Sequence, residues 1–293
     1  MPRVRRHNRW MKAVAAGLPL LAALAPALAP ASAAPAIMAA TGAPASALEA
    51  EFTLYVGGVL FGRGHIEAAF RHDEDYRLTA LMTTAGLPKA FYEAEFHLES
   101  EGRFAAGSVR PRRFVSDSRD KSSERKVMLA YSADGMPRMT ADPPYEPGDL
   151  SGVLPYQQMG TQDPISAMLV PVAGTDNPCG RTIPVFDGKR RYDLQLAYDG
   201  ERMLTPRGAG YSGNTIVCNI RYVPVGNPER RKFTEMLRRN DDMKVWLAPF
   251  DGGRVYMPVR LQLRTPLGGA VMELTRLEEK PSRGKTAADT AAR

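Results

Sequence analysis

The chain has 293 residues, 39 of them Lys or Arg and 32 Asp or Glu, for a formal net charge of +7 at pH 7. Five of the basic residues and none of the acidic ones lie in positions 1–33, so the remainder carries 34 against 32, a net charge of +2. That balance leaves no global positive field to gather nucleic acid, and local clusters such as Lys189-Arg190-Arg191 and Arg230-Arg231-Lys232 are expected to be solvated turns and helix faces.

Residues 1–33 have the pattern of a bacterial export signal. Arg3, Arg5, Arg6, Arg9 and Lys12 form a positive n-region, Ala13 to Leu28 is an Ala/Leu run, and Ala31-Ser32-Ala33 is a small-residue cleavage site. The competing reading is a membrane anchor, but the run is only about 16 residues and is broken by Pro19 and Pro26, whereas a spanning helix needs about 20 unbroken apolar residues. No cysteine follows the run to carry a lipid, and His7-Asn8-Arg9 is a poor continuation of a twin-arginine signal, so general secretion into the periplasm is expected. A second small-residue site, Ala45-Ser46-Ala47, leaves the cut open between Ala33 and Ala47. Residues 34–47 form an Ala/Pro leader and 280–293 a polar tail, both expected to be disordered. The remaining 48–279 is one β domain, with two halves joined near 136–161 as the alternative.

Within that domain the apolar residues have a period of two. Phe52, Leu54 and Val56 alternate with polar positions up to Gly57-Gly58, a hairpin signal. Leu60, Ile66, Ala68 and Phe70 follow, with Gly62 and Gly64 marking a bend or bulge. Tyr76, Leu78, Ala80 and Met82 continue the meander, then Tyr92, Ala94, Phe96 and Leu98, then Val127, Leu129 and Tyr131. These patterns predict half-buried antiparallel strands. The Pro/Gly-rich stretch 136–161 is expected to be a linking loop. Asp163-Pro164 predicts a capped helix over Ile165–Leu169, and Asn227-Pro228 a second over roughly 229–239, with Phe233, Met236 and Leu237 as its apolar stripe. A membrane-surface role for this second helix is the sharper alternative to packing on the sheet. Ile183 and Val185 lead into Asp187-Gly188, a two-residue turn signal, with Tyr192, Leu194, Leu196 and Tyr198 returning. Ile216, Cys218, Ile220 and Tyr222 make another stripe, and Val255, Met257, Val259, Leu261 and Leu263 the longest. The expected fold is mainly β: a curved antiparallel sheet, open β-barrel or β-spiral, with two short flanking helices.

Cys179 and Cys218 are the only cysteines. Each shares strand parity with core residues, which predicts a structural disulfide between neighbouring strands in an oxidising compartment. Residue types with catalytic chemistry are sparse. His65, His72 and His97 fall on polar faces or in a turn, and no HExxH motif or Cys/His cluster offers a metal site. Gly210-Tyr211-Ser212-Gly213 lacks the final glycine of a nucleophile elbow, because Asn214 stands there. Gly284-Lys285-Thr286 has no glycine five positions before it and cannot cradle a phosphate. Glu93, Glu95 and Glu99 bring carboxylates to one strand face, as glycoside chemistry requires, although a solvated face explains them equally.

Several segments carry a family resemblance. Cys179, then Val185-Phe186-Asp187-Gly188-Lys189-Arg190-Arg191-Tyr192-Asp193-Leu194, Tyr211-x-Gly213 and Cys218-x-Ile220-x-Tyr222 belong to it. So do Asp163-Pro164-Ile165-Ser166-Ala167, Val245-Trp246-Leu247 and Met257-Pro258-Val259-Arg260. Tyr55-x-Gly57-Gly58 and Thr84-Ala85-Gly86-Leu87 extend it towards the N-terminus. Over about 50–277 the chain resembles the bacterial domain-of-unknown-function family 3108. The resemblance implies an exported, mostly β protein similar to curved-sheet envelope proteins, and it supplies no active-site residues. The expected function is therefore that of a non-enzymatic periplasmic envelope protein binding a lipid, an amphiphile or an envelope partner, with no cofactor, no metal and no transmembrane segment after signal cleavage. Trp246, Tyr256, Arg260 and Arg264 are the candidate ligand rim, with Arg260 and Arg264 placed opposite the Val255–Leu263 stripe by parity. The alternatives are a hydrolase of envelope polysaccharide or peptidoglycan and a ligand-free scaffold.

Overall fold

The computed structural model describes residues 46–71, 74–146, 152–174, 176–205, 208–226 and 232–281. The expected export signal, the leader up to Ala45, His72, the Asn227-Pro228 cap and the tail beyond Pro281 lie outside the described residues. Seven strands make up the first half: β1 (Ser46–Val56), β2 (Val59–Phe70), β3 (Asp75–Thr84), β4 (Ala94–Ala105), β5 (Ser108–Asp120), β6 (Glu124–Tyr131) and β7 (Pro137–Asp142). Helix α1 (Pro155–Gln158) and the two-residue β8 (Val170–Pro171) follow. The second half is β9 (Arg181–Phe186), β10 (Arg191–Leu204), β11 (Gly213–Val225), α2 (Lys232–Arg238), β12 (Lys244–Phe250), β13 (Val255–Thr265) and β14 (Gly268–Pro281).

All of this is one antiparallel sheet. Its order is β7-β6-β5-β4-β3-β2-β1-β14-β13-β12-β11-β10-β9, with β8 attached to β13. Two meanders are joined by pairing the first strand with the last, so the two halves share one sheet. The β region is slightly longer than expected: Ser46 and Ala47 belong to β1, and Lys280 and Pro281 to β14. The expected linking loop contains β7 and α1. The helix expected at Ile165–Leu169 is a three-residue 3-10 turn, Ser166–Met168.

The alternation holds over most of the predicted stripes, but Met82, Tyr92, Phe96 and Tyr198, expected on buried faces, are exposed. Leu48, Ala50 and Phe52 of β1, Ile66, Ala68 and Phe70 of β2, and Tyr76, Leu78 and Ala80 of β3 are buried in one cluster. Ala248, Phe250, Val255, Met257, Val259 and Leu274 of the second half join the same cluster, so the sheet curls and the two halves share a core. Gly57-Gly58 makes the β1–β2 turn with φ of 57° and 81°, and a side chain on Gly57 would meet the Leu267 carbonyl oxygen at 2.4 Å. The bulge foreseen near Gly62 is present: Leu54 pairs with Gly62 and Tyr55 with Leu60, leaving Phe61 over.

The β9–β10 connection is a four-residue loop rather than a two-residue turn. The Asp187 carboxylate accepts the N–H groups of Lys189 (2.8 Å) and Arg190 (2.5 Å), which satisfies a wider loop. Gly188 at its tip has φ 92°, and a Cβ there would lie 2.6 Å from Val127 Cγ1. The hairpin thus packs onto β6 and β7 and brings the two edges of the sheet together.

A buried polar cluster ties the 161–170 segment into the core. Asp163 Oδ1 accepts the N–H groups of Ile165 (3.2 Å) and Ser166 (2.9 Å), and Oδ2 accepts the hydroxyls of Ser166 (2.6 Å) and Ser100 (2.8 Å). Tyr76 Oη lies 2.8 Å from Ser166 Oγ. Burial pushes the Asp163 carboxyl above its ordinary range, opposed by these hydrogen bonds. Ile165 and Leu169 sit within the large core cluster.

The disulfide links Cys179 and Cys218, with their Cα atoms 5.8 Å apart. It does not join neighbouring strands as expected. Cys218 lies on β11, and β10 separates β11 from β9. Strands two apart are about 9.5 Å apart, beyond the reach of a disulfide. Cys179 precedes β9, in a segment held by Gly180 N–H to the Leu196 carbonyl (2.8 Å), and from there it reaches over β10. The bridge belongs to a second, smaller core with Ile183, Val185, Leu196, Val245 and Leu247.

Candidate functional site

The structure divides the four candidate rim residues among three places. Tyr256 pairs with Val170 of β8 and packs, half-buried, against the smaller core. Arg264 is exposed beside Asp242 (3.4 Å) and Asp241 (4.0 Å), bordering a hollow of about 520 Å³ with Glu235 and Met236 of α2. Trp246 and Arg260 come together, with the Arg260 guanidinium carbon 5.2 Å from the Trp246 ring centroid.

Parity alone misplaces Arg260. Trp246 pairs with Arg260 but Leu247 pairs with Pro258, so Val259 is an extra residue in β13. A one-residue bulge reverses every side chain beyond it. Arg260 therefore shares the face of Trp246 and the large core, while Leu261 packs against the smaller core. The Val255–Leu263 stripe is split at this point, and neither Leu261 nor Leu263 lines the cleft described next.

That cleft, of about 400 Å³, lies where β13 and β14 part. Pairing of β13 with β14 begins at Thr265–Gly268 and ends at Arg260–Glu273. Beyond it β14 continues along β1, and the β10–β11 connection approaches its free side, with the Leu277 N–H donating to the Ala209 carbonyl at 3.0 Å. Leu204, Thr205 and Tyr211 close one side of the cleft, Tyr55 and Gly58 another, Val259, Arg260, Glu273 and Leu274 stand at its fork, and Gly269 and Val271 line it along the paired stretch of β14. Tyr211 is held by its hydroxyl, which donates to the Asn214 carbonyl (3.0 Å), and its ring lies 6.1 Å from that of Phe250. Arg260 pairs with Glu273 at 3.6 Å, yet its Nε–H is buried without a hydrogen-bond partner. A buried donor left unmet costs about 1–3 kcal/mol, so this arginine is held at some expense to the fold.

Sequence reasoning missed Tyr55, Tyr211 and Glu273 as site residues. A signal was present for two of them. Tyr55-x-Gly57-Gly58, Tyr211-x-Gly213 and Met257-Pro258-Val259-Arg260 are three of the segments that carry the family resemblance, and all three meet at this cleft. The carboxylates considered for hydrolysis do not. Glu95 pairs with His97 (2.7 Å), Glu93 with Lys89 (3.2 Å) and Glu99 with Arg113 (3.8 Å), all on exposed surface. Among the described residues no three Asp, Glu, His or Cys side chains form a metal-binding group, and no helix is long and apolar enough to cross a membrane.

Fold and site together define an open, curled antiparallel β-sheet protein with a mixed aromatic and charged cleft at the fork between its last two strands. Comparison with known families agrees with the resemblance read from the sequence. The family described as "Protein of unknown function (DUF3108)" matches residues 51–275, and the chain belongs to it. No curated protein matches the chain. Among solved structures it is similar to a β-barrel-like protein of the domain of unknown function DUF1849 from Brucella abortus. The identity is 13% and the TM-score 0.48, over 80% of this chain and 97% of that one.

Proposed function

We propose that the protein is a non-enzymatic, exported protein of the cell envelope that binds a small anionic amphiphile in the fork cleft. Arg260 carries this reading. Its guanidinium, paired with a single carboxylate at 3.6 Å, lines a cleft whose other walls are both aliphatic, Val259, Val271, Leu204 and Leu274, and polar, Tyr55, Thr205, Tyr211 and Glu273. An acid head group would meet Arg260 and displace part of its contact with Glu273, and an apolar chain would lie along the aliphatic walls. The volume falls within the range of small-molecule sites, about 300–1,000 Å³. The export pattern of residues 1–33 and the disulfide support the envelope location.

A ligand-free scaffold is the second reading, favoured by the filling of the core with Ile165 and Leu169. Native mass spectrometry of protein recovered from the periplasm distinguishes the two. A bound anionic amphiphile is expected, lost in Arg260→Met with the β-sheet circular dichroism unchanged. Protein recovered without any ligand, and showing no change in Trp246 fluorescence on titration with fatty acid or lysophospholipid, would leave the scaffold reading in place.

A further inference from the structure

Three adjoining connections at one end of the sheet expose large apolar side chains where turns are ordinarily polar. The β3–β4 connection presents Leu87, Phe91 and Tyr92 at 76, 87 and 50% exposure, the β13–β14 turn presents Leu267 at 76%, and Val59 ends the β1–β2 turn at 44%. These connections are tied together. The Gly57 N–H donates to the Gly269 carbonyl (2.9 Å), and the Ala85 N–H to the Phe61 carbonyl (2.9 Å). Beneath Tyr92 an apolar groove of about 140 Å³ continues between Phe52, Leu54, Phe61, Met82 and Phe96. The normally inward-facing stripe of β4 therefore runs out to the surface at this end, with Phe96 38% exposed.

Cations flank the tips. Lys121 donates to the Ala90 carbonyl (3.3 Å), which holds its ammonium beside Phe91, and it has no carboxylate partner among the described residues. Arg63 lines the groove and likewise forms no ion pair there. Lys89 is neutralised by Glu93. Apolar and aromatic tips backed by unpaired Lys and Arg match the layering of a membrane interface, where chains, head groups and phosphates succeed one another over a few ångströms.

We infer that this end of the sheet docks on an anionic bilayer surface, with Leu87, Phe91 and Leu267 entering the acyl boundary, Tyr92 at head-group level, and Lys121 and Arg63 meeting lipid phosphates. A fluid surface fits separate protruding tips, whereas a protein partner is ordinarily met by a continuous packed patch. The inference is independent of the ligand cleft, whose lining includes none of these six residues.

The test places a tryptophan at the tip, by Phe91→Trp in the full chain, and adds vesicles of phosphatidylcholine and phosphatidylglycerol with brominated acyl chains. The N-terminal apolar run is common to parent and variant, so the difference between them reports on the tip. Tip fluorescence quenched beyond that of the parent is expected. Adding Leu87→Ser and Leu267→Ser should weaken this quenching at least tenfold in lipid concentration, since one such side chain leaving water is worth about a factor of ten. Lys121→Gln should weaken it about fivefold. All three substituted apolar sites are exposed, so the melting temperature should stay unchanged. Quenching equal to the parent's overturns the inference, as does self-association through this end with the tip tryptophan unquenched by lipid. Arg260→Met should leave tip quenching intact, which separates failure of the cleft from failure of the docking surface.

Discussion

Breaking the Cys179–Cys218 bridge should lower stability by about 4 kcal/mol. The two residues are 39 apart in sequence, so the bridge closes a loop of about 40 residues, and the chain-entropy relation for a loop of that size gives the figure at 25 °C. Cys218 is fully buried and Cys179 nearly so, and both pack among aliphatic side chains, so the reduced thiols must separate by rotating within the core but meet no polar penalty there. At about 2–4 °C per kcal/mol for a domain of this size, the melting temperature should fall by about 8–16 °C. Thermal melts followed by circular dichroism, with and without reductant, measure this. Cys179→Ala/Cys218→Ala should resemble the reduced protein, with a further small loss from the missing sulfurs. Alkylation of denatured, unreduced protein recovered after export should label neither cysteine. A reduced protein melting within about 2 °C of the oxidised one would refute the reasoning, because the bridge would then not be constraining the unfolded chain.

Asp163 gives a dependence on pH. Its folded-state pKa is raised above 3.8, so the native state holds the proton more tightly than the unfolded chain, and its contribution to stability falls as pH rises from about 4 through the folded-state value. Asp163→Asn should flatten that part of a denaturation-versus-pH series, and an unchanged slope would count against the buried carboxyl as its source. Gly188→Ala should cost about 2–4 kcal/mol, from its positive φ and the contact with Val127 Cγ1, measured by urea unfolding; a change below 0.5 kcal/mol would mean the hairpin does not pack on β6. N-terminal sequencing of exported protein should begin near Ala34 and not at Leu48. Cleavage after Ala47 would remove two residues of the β1 ladder and the Ser46 hydroxyl's hydrogen bond to Asp251 (2.6 Å), so a Leu48 terminus would contradict the observed start of β1.

Strands with clean alternation were legible because burial on one face writes itself into every second residue: Leu48 to Phe52, Ile66 to Phe70 and Tyr76 to Ala80 behave in this way. Strand β5, Ser108–Asp120, was not foreseen. Its buried positions, Val109, Pro111, Phe114 and Val115, break step where Glu101 pairs with Arg113 and Gly102 with Pro111, and arginines surround them. The helix expected from Asp163-Pro164 fell short for a different reason. Its carboxylate does accept the N–H of Ser166, as a cap should, but it is also committed to Ser100 and anchors the segment in the core rather than starting a helix at the surface. Cys179 and Cys218 were correctly paired, although the path between them was not, because strand parity says which face a residue takes but not how many strands separate two residues.

The candidate site shows where such reasoning stops. From Val255 to Val259 the residues of β13 face the cores that parity assigns, and one extra residue then carries Arg260 from the expected outward face to the side of Trp246. An arginine there is costly unless its donors are met. Glu273 is the cross-strand neighbour positioned to meet them, and β13 and β14 separate immediately beyond that pair. The bulge, the ion pair and the fork are therefore one feature. The bulge turns the guanidinium to the side of Trp246, the pair is the last rung of the ladder, and Arg260 lines the space beyond that rung. The proposed acid group would meet a guanidinium that has one carboxylate partner at 3.6 Å, which is why the fork, rather than the filled core of the curl, is the place to test for binding.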